Sequence, residues 1–486
     1  MTEREKIAHL LRRFGLGASL AEVNFYEPFG LDGTIERLIE YQKYDEGFDI
    51  SAWALAPQQQ GNLPNLRPPS VAAWWVLRMM TTQRPLQEKL TLFWHDHFAI
   101  SASKVDRGSL MLQYLETLRS GANGNFLDLL VNVSKDPAML LWLDNNTNVK
   151  GRPNENYARE VMELFTVGIG NYTEEDIQEA ARAFTGWKFR PTVNPRRIDK
   201  EQLTEILRSG RPLVEFYINE REHDSGMKKV LGNVGPFGGE DICGILAARP
   251  ETARYLTTKL WEWFAYEKPE PKVQERLAKA YMDGNFEIKK VLYAIVESEE
   301  FWSQKCVRKQ VKNPVDFSIA ICRQLGIGPM ILAGYDKGND RLKELPKNTL
   351  GGLRFIVQSL NNQGMSLLYP PDVAGWDWGT AWISSATMVE RIRFSDLLFN
   401  RASGTLIAQN VSDAIAASKM PENSQELTNR LLEMFDAEIP SERKKTLVSA
   451  VEESGGVSAI NNPRQASLLL KTFSRALFAA PEFHFC

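Results

Sequence analysis

The chain has 486 residues, 43% hydrophobic and 24% charged, an ordinary globular composition that excludes wholesale disorder, a fibrous repeat and a small disulfide scaffold. Its 58 basic and 61 acidic residues leave a net charge of -3, so no global basic excess recommends a nucleic-acid partner. Cys243, Cys306, Cys322 and Cys486 form no CxxC pair, no stretch approaches about 18 consecutive apolar residues, and the opening MTEREKIAHLLRRFG lacks the apolar core of a signal peptide. A cytoplasmic protein with no membrane span is therefore expected.

Apolar residues at helical spacing predict helices over 3–13, 31–44, 70–80, 86–98, 108–119, 125–134, 155–167 and 174–186. Ser134-Lys-Asp-Pro and Asn313-Pro-Val put proline near helix starts, and Thr173 with Asp176 is close to a capping box. The stretch 188–240 differs. KFRPTVNPRR, RSGRP and GNVGPFGG are rich in turn residues, VEFYI is β-prone and DSG is turn-like, so a short hairpin is expected near 213–225. Helical spacing resumes over 251–266, 271–283, 286–297, 312–325, 351–360, 386–400, 409–418, 424–436, 440–452 and 463–479. Within this half, 361–385 carries YPPDVAGWDWGTAWIS and reads as an ordered loop that packs aromatics. The expected fold is mostly α, a large multi-helix single domain over 1–486. It comprises a helical lobe 1–187, a small β-hairpin-containing insertion 188–240 and a second helical lobe 241–486.

Chemistry-bearing residues gather in three places. Of five histidines, His95 and His97 lie in LTLFWHDHFAIS. His-x-His is a recurrent metal-ligand spacing, with both rings on one side of an extended segment but about 200° apart on a helix. The alternative is a pair of histidines around Asp96 capping a helix end. In GRPNENYAREVMELFTVG, Asn156, Arg159, Glu160 and Glu163 share an arc of about 100° on a helical wheel. The two glutamates at i,i+3 can meet one ion or one proton-transfer site. Arg159 is also i,i+4 from Glu155 and Glu163, so a solvated, salt-bridged face is the competing reading. In REHDSGMKKVLG, the His223-Asp224 dipeptide, followed by Lys228, can supply a ligand or a general base, although HDSG is also a good turn. There is no GxxxxGK[ST], no GxGxxG after a strand, no HExxH and no GxSxG. The tryptophans can stack sugars, but most read as core or loop anchors.

The segments HLLRRFGLG, KLTLFWHDHFA, NENYAREVMELFTVGIGNYTEEDIQEAARAFTGW, HDSGMKKVLG, GGEDICGILAARPETARYLTTKLW and YPPDVAGWDWGTAWIS together resemble a bacterial family catalogued as domain of unknown function 1800, over nearly the whole chain. The family pattern usually has asparagine between the two histidines, where this chain has Asp96. No established reaction comes with the resemblance. Members are often exported and often encoded beside sulfatase-like companions, so the resemblance implies such a partner. The family segments coincide with the residue clusters at His95, His97, Glu160, Glu163, His223 and Asp224. The expectation is one polar, metal-assisted pocket. In it Glu160, Glu163, His223 and Asp224 are catalytic, and Asn156, Arg159 and Lys228 bind substrate. His95, His97 and Glu160 hold a divalent metal such as Zn, Mn or Fe. Hydrolytic or oxidative chemistry on a carbohydrate-like substrate fits that set. The alternative is a non-catalytic helical scaffold that assists a partner enzyme, with the same residues in a buried hydrogen-bonded network.

Overall fold

A computed structural model of the chain describes residues 1–56, 65–193, 198–336, 338, 340–400 and 402–486. Among the described residues it has 23 α-helices, joined by short 3-10 turns, and two antiparallel two-stranded sheets. The mostly α architecture read from the spacing of apolar residues is the architecture observed. Buried side chains from Ile7 to Phe483 form one continuous apolar cluster.

Local chemistry sets many helix starts. Thr2 and Glu5 close a full capping box on Glu3–Phe14, and Thr173 and Asp176 do the same for Glu174–Ala183. Proline occupies the first turn of Pro68–Thr81, Pro85–His97, Pro250–Phe264 and Pro314–Gln324, where its missing N–H costs nothing. Pro85–His97 is buried along all 13 residues. A helix with no wet face must pair its own polar groups. Glu88 accepts from Trp75 Nε1 (2.7 Å), Arg78 Nε (3.0 Å) and Arg119 Nε and Nη2 (2.7 and 3.0 Å), which satisfies a carboxylate with no exposure.

Some elements depart from the periodic reading. The helix expected over 155–167 stops at Glu163. There the Thr166 hydroxyl bonds Val161 O, and Gly168 (φ +78°) turns its N–H back to Met162 O. The helix expected over 31–44 ends at Ile39. Leu20–Tyr26, Pro137–Trp142, Lys200–Ser209, Gly239–Ala247 and Ile327–Leu332 are additional helices.

The insertion is organised differently from expectation. VEFYI is a strand, Val214–Ile218, but it does not form a hairpin over 213–225. Its partner is Trp187–Pro191, with Trp187 opposite Ile218 and Pro191 opposite Val214. Buried Trp187 explains the choice: its indole meets the Phe216 ring edge-on at 5.0 Å, an aromatic cross-strand contact. The hairpin of this region is Lys228–Val230 with Asn233–Gly235, turning through Leu231 and Gly232 at positive φ. Residues 194–197 of the KFRPTVNPRR stretch lie outside the described residues. The loop 361–385 is ordered, with Trp376 and Trp382 buried. All four cysteines are free and buried. Among the described residues no helix is long and apolar enough to cross a membrane.

Candidate functional site

His95 and His97 sit on the last turn of Pro85–His97, so helical geometry sends them to different neighbours. His95 is enclosed by the edges of Trp75 (5.6 Å) and Trp376 (5.4 Å), and neither ring nitrogen has a hydrogen-bond partner among the described residues. Burial lowers its pKa to about 3, which keeps the ring neutral. His97 donates from Nε2 to Phe165 O (3.1 Å), which leaves Nδ1 as an acceptor facing Lys259 Nζ at 3.4 Å. Burial, then the Lys259 charge, holds its pKa well below the ordinary value. Among the described residues no group of three or more His, Cys, Asp or Glu side chains is placed to hold a metal ion, so His95, His97 and Glu160 do not form a ligand set.

On Asn156–Glu163, Glu160 is half-buried, and its carboxyl is pushed up by partial burial and then by the Glu163 charge. Glu163 accepts from the Tyr172 hydroxyl. Arg159 turns to Glu174 (2.8 and 2.9 Å) and Glu155 (3.4 Å), and Asn156 is exposed, its N–H bonded to Asn154 Oδ1. Tyr255, whose hydroxyl donates to Leu164 O, joins Glu163, Glu251 and Arg254 around a surface hollow of about 410 Å3.

His223 and Asp224 form a clasp on the end of Glu174–Ala183. His223 Nδ1 donates to Thr185 O, and the Asp224 N–H donates to Thr185 Oγ1, both at 2.8 Å. Arg182 grips the Asp224 carboxylate at 2.9 and 3.4 Å and, as the main cause, depresses its pKa to about 2. The Lys228 ammonium donates to Asp224 O and Gly226 O. Gly186 (φ +76°) makes this approach possible, since a Cβ there would lie 2.7 Å from Asn219 O. The expected single pocket is thus divided. His97 is brought beside the glutamate helix through Phe165, whose own N–H bonds Glu160 O. His95 has its own aromatic surroundings, and His223-Asp224 bonds to Thr185 and Arg182.

The pocket with the most unusual electrostatics belongs to the residue between the histidines. Asp96, Trp263, Trp376, Trp378 and Trp382 line a cleft partly open to solvent, with about 20 Å3 of room for a small polar group. Trp376 donates its backbone N–H to Asp96 Oδ1 (2.7 Å), and the Trp378 indole also hydrogen-bonds the carboxylate. Burial dominates these bonds and the Lys259 charge, and it pushes the Asp96 carboxyl up to about 7. Gly375 (φ +91°) lets the loop approach so closely, because a Cβ there would sit 2.4 Å from Asp96 Oδ1. The Trp263 and Trp378 indoles meet at 72° with centroids 4.9 Å apart and form two adjoining walls. Asp316, also in the lining, is ion-paired with Lys89. From the sequence, Asp96 stands out as a link between the histidines and as a carboxylate where the family pattern usually has asparagine, not as a site residue. The available signal was a carboxylate inside the aromatic run FWHDHF, together with a glycine-flanked, tryptophan-rich loop.

A profile of the family described as "Protein of unknown function (DUF1800)" matches residues 9–485. No match was found among curated proteins or among solved structures.

Proposed function

The chain belongs to this family, whose description names no reaction, and from the geometry we propose that it is an acid–base enzyme with its substrate site in the tryptophan-walled cleft above Asp96. One feature carries the reading: a buried carboxyl in the lining of an aromatic cleft has its pKa pushed up to about 7 by burial, where a group can take or give a proton near neutral pH. The indole walls suit a carbohydrate-like ring resting at the mouth while one substituent enters. Acid–base assistance favours the hydrolytic branch of the expected chemistry. The family pattern usually has asparagine at this position, so the proton exchange is proposed for this chain.

The scaffold reading also has an observation in its favour. Arg159, Arg182, Asp224 and Lys228 are all engaged in local contacts that fix the fold, and in that reading a sulfatase-like companion is the partner they serve. Turnover of a panel of aryl glycosides and esters by the parent chain and by Asp96→Asn separates the two. The enzyme reading expects activity that falls at least about a hundredfold in the variant, in line with loss of a general acid or base. Equal activity in both chains refutes it, and no turnover by either favours the scaffold.

A further inference from the structure

The charges around the cleft are one-sided. Asp96, Asp316 and Asp377 line it, and no lysine, arginine or histidine does. Lys89 neutralises Asp316, whereas among the described residues Asp96 and Asp377 form no ion pair. The indoles of Trp263 and Trp378 both line the cleft and meet edge-to-face at 72°, so aromatic carbon bounds the space. This side of the molecule already holds one ammonium, since Lys89 Nζ is 5.7 Å from the Trp263 ring centroid. About 20 Å3 of the cleft is accessible to a water-sized group, which suits an ammonium.

We infer that the cleft receives a protonated amine, the ammonium end of a substrate whose body remains outside, with Asp96 as its counter-ion and the indoles as its cation–π walls. This rests on the cleft being the substrate site, as proposed above. Other groups facing Asp96 are the Trp376 N–H and the Trp378 indole from the loop, and Lys259 from Pro250–Phe264. Its chain neighbours His95 and His97 are neutral. An arriving ammonium favours the carboxylate, so the Asp96 proton leaves to solvent as the pair forms.

The test is calorimetric titration of the full chain with n-butylammonium, its neutral isostere n-butanol, and glucose, in two buffers of different ionisation enthalpy. Asp96→Asn and Trp378→Leu, each checked for folding by circular dichroism, serve as controls. The inference expects n-butylammonium to bind at least about tenfold more tightly than n-butanol. Binding should strengthen from pH 6 to pH 8 with proton release, and the preference should vanish in Asp96→Asn and weaken in Trp378→Leu. Glucose or butanol binding that depends on Asp96 and equals that of butylammonium overturns the amine and leaves the substrate site standing. No Asp96-dependent binding of any probe overturns both.

Discussion

Replacing Asp96 by asparagine retains the acceptor for the Trp376 N–H and removes the ionisation, so the variant isolates the charge. The ordinary value of 3.8 becomes about 7 in the fold. At about 1.4 kcal/mol per unit this corresponds to on the order of 4 kcal/mol. The sign follows from proton uptake. The folded state holds the Asp96 proton more tightly than the unfolded chain, so this contribution is fully present below about pH 4. It is lost as pH rises towards about 7 and is absent above that. Asp96→Asn escapes the loss. Its stability relative to the parent should therefore grow between pH 5 and pH 7 and level off, at pH 8, on the order of 4 kcal/mol in its favour. Asp136, also pushed by burial to about 7, pulls the same way, and His9, His95 and His484, lowered to about 3, act oppositely in acid. Both chains carry those four groups, so they cancel in the difference. Urea unfolding midpoints of the two chains at pH 5, 6, 7 and 8 provide the measurement. A difference that stays constant with pH, or a variant weaker than the parent at pH 8, refutes the argument.

Glu88→Ala removes the buried carboxylate that Arg78 and Arg119 share, leaving them Glu46 and Glu116, and should cost about 3–5 kcal/mol, read by calorimetry; an unchanged melting temperature contradicts the buried-pair account. His95→Phe replaces a ring with two unpaired nitrogens by an apolar one of similar shape, so its melting temperature should hold or rise, whereas a ligand role predicts a loss of function without that gain. Arg159→Ala breaks ion pairs with largely exposed partners and should change stability by under about 1 kcal/mol; a loss of several would mean the glutamate face carries more than surface pairing.

The helical frame was legible because long elements repeat their apolar pattern over several turns, and Pro271–Asp283 matches its predicted range at both ends. Pro137–Trp142 and Ile327–Leu332 span fewer than two turns and offer too little repetition. The strand VEFYI could be recognised from its residues, but its partner could not. Pairing with Trp187–Pro191 depends on the buried contact between Trp187 and Phe216, two residues far apart in the chain. The scarce histidines lie at the helix end that also carries Asp96. Their spacing could not tell that Pro85–His97 is buried along its length, so that His95 meets Trp75 and Trp376 while His97 meets Phe165 O and Lys259. The importance of Asp96 is non-local. It arises where the loop at Gly375 and Trp376 folds back onto the helix end.

The pairing of Trp187–Pro191 with Val214–Ile218 also bears on how the chain can change. Antiparallel strands in register bring the departing and returning chain about 5 Å apart. Everything between Pro191 and Val214 is therefore an excursion from a closed base. Doubling such a loop costs only about 0.6 kcal/mol of closure entropy. The excursion can lengthen or shorten while the paired strands keep their register, and an affinity tag carried there should leave the Asp96 cleft undisturbed.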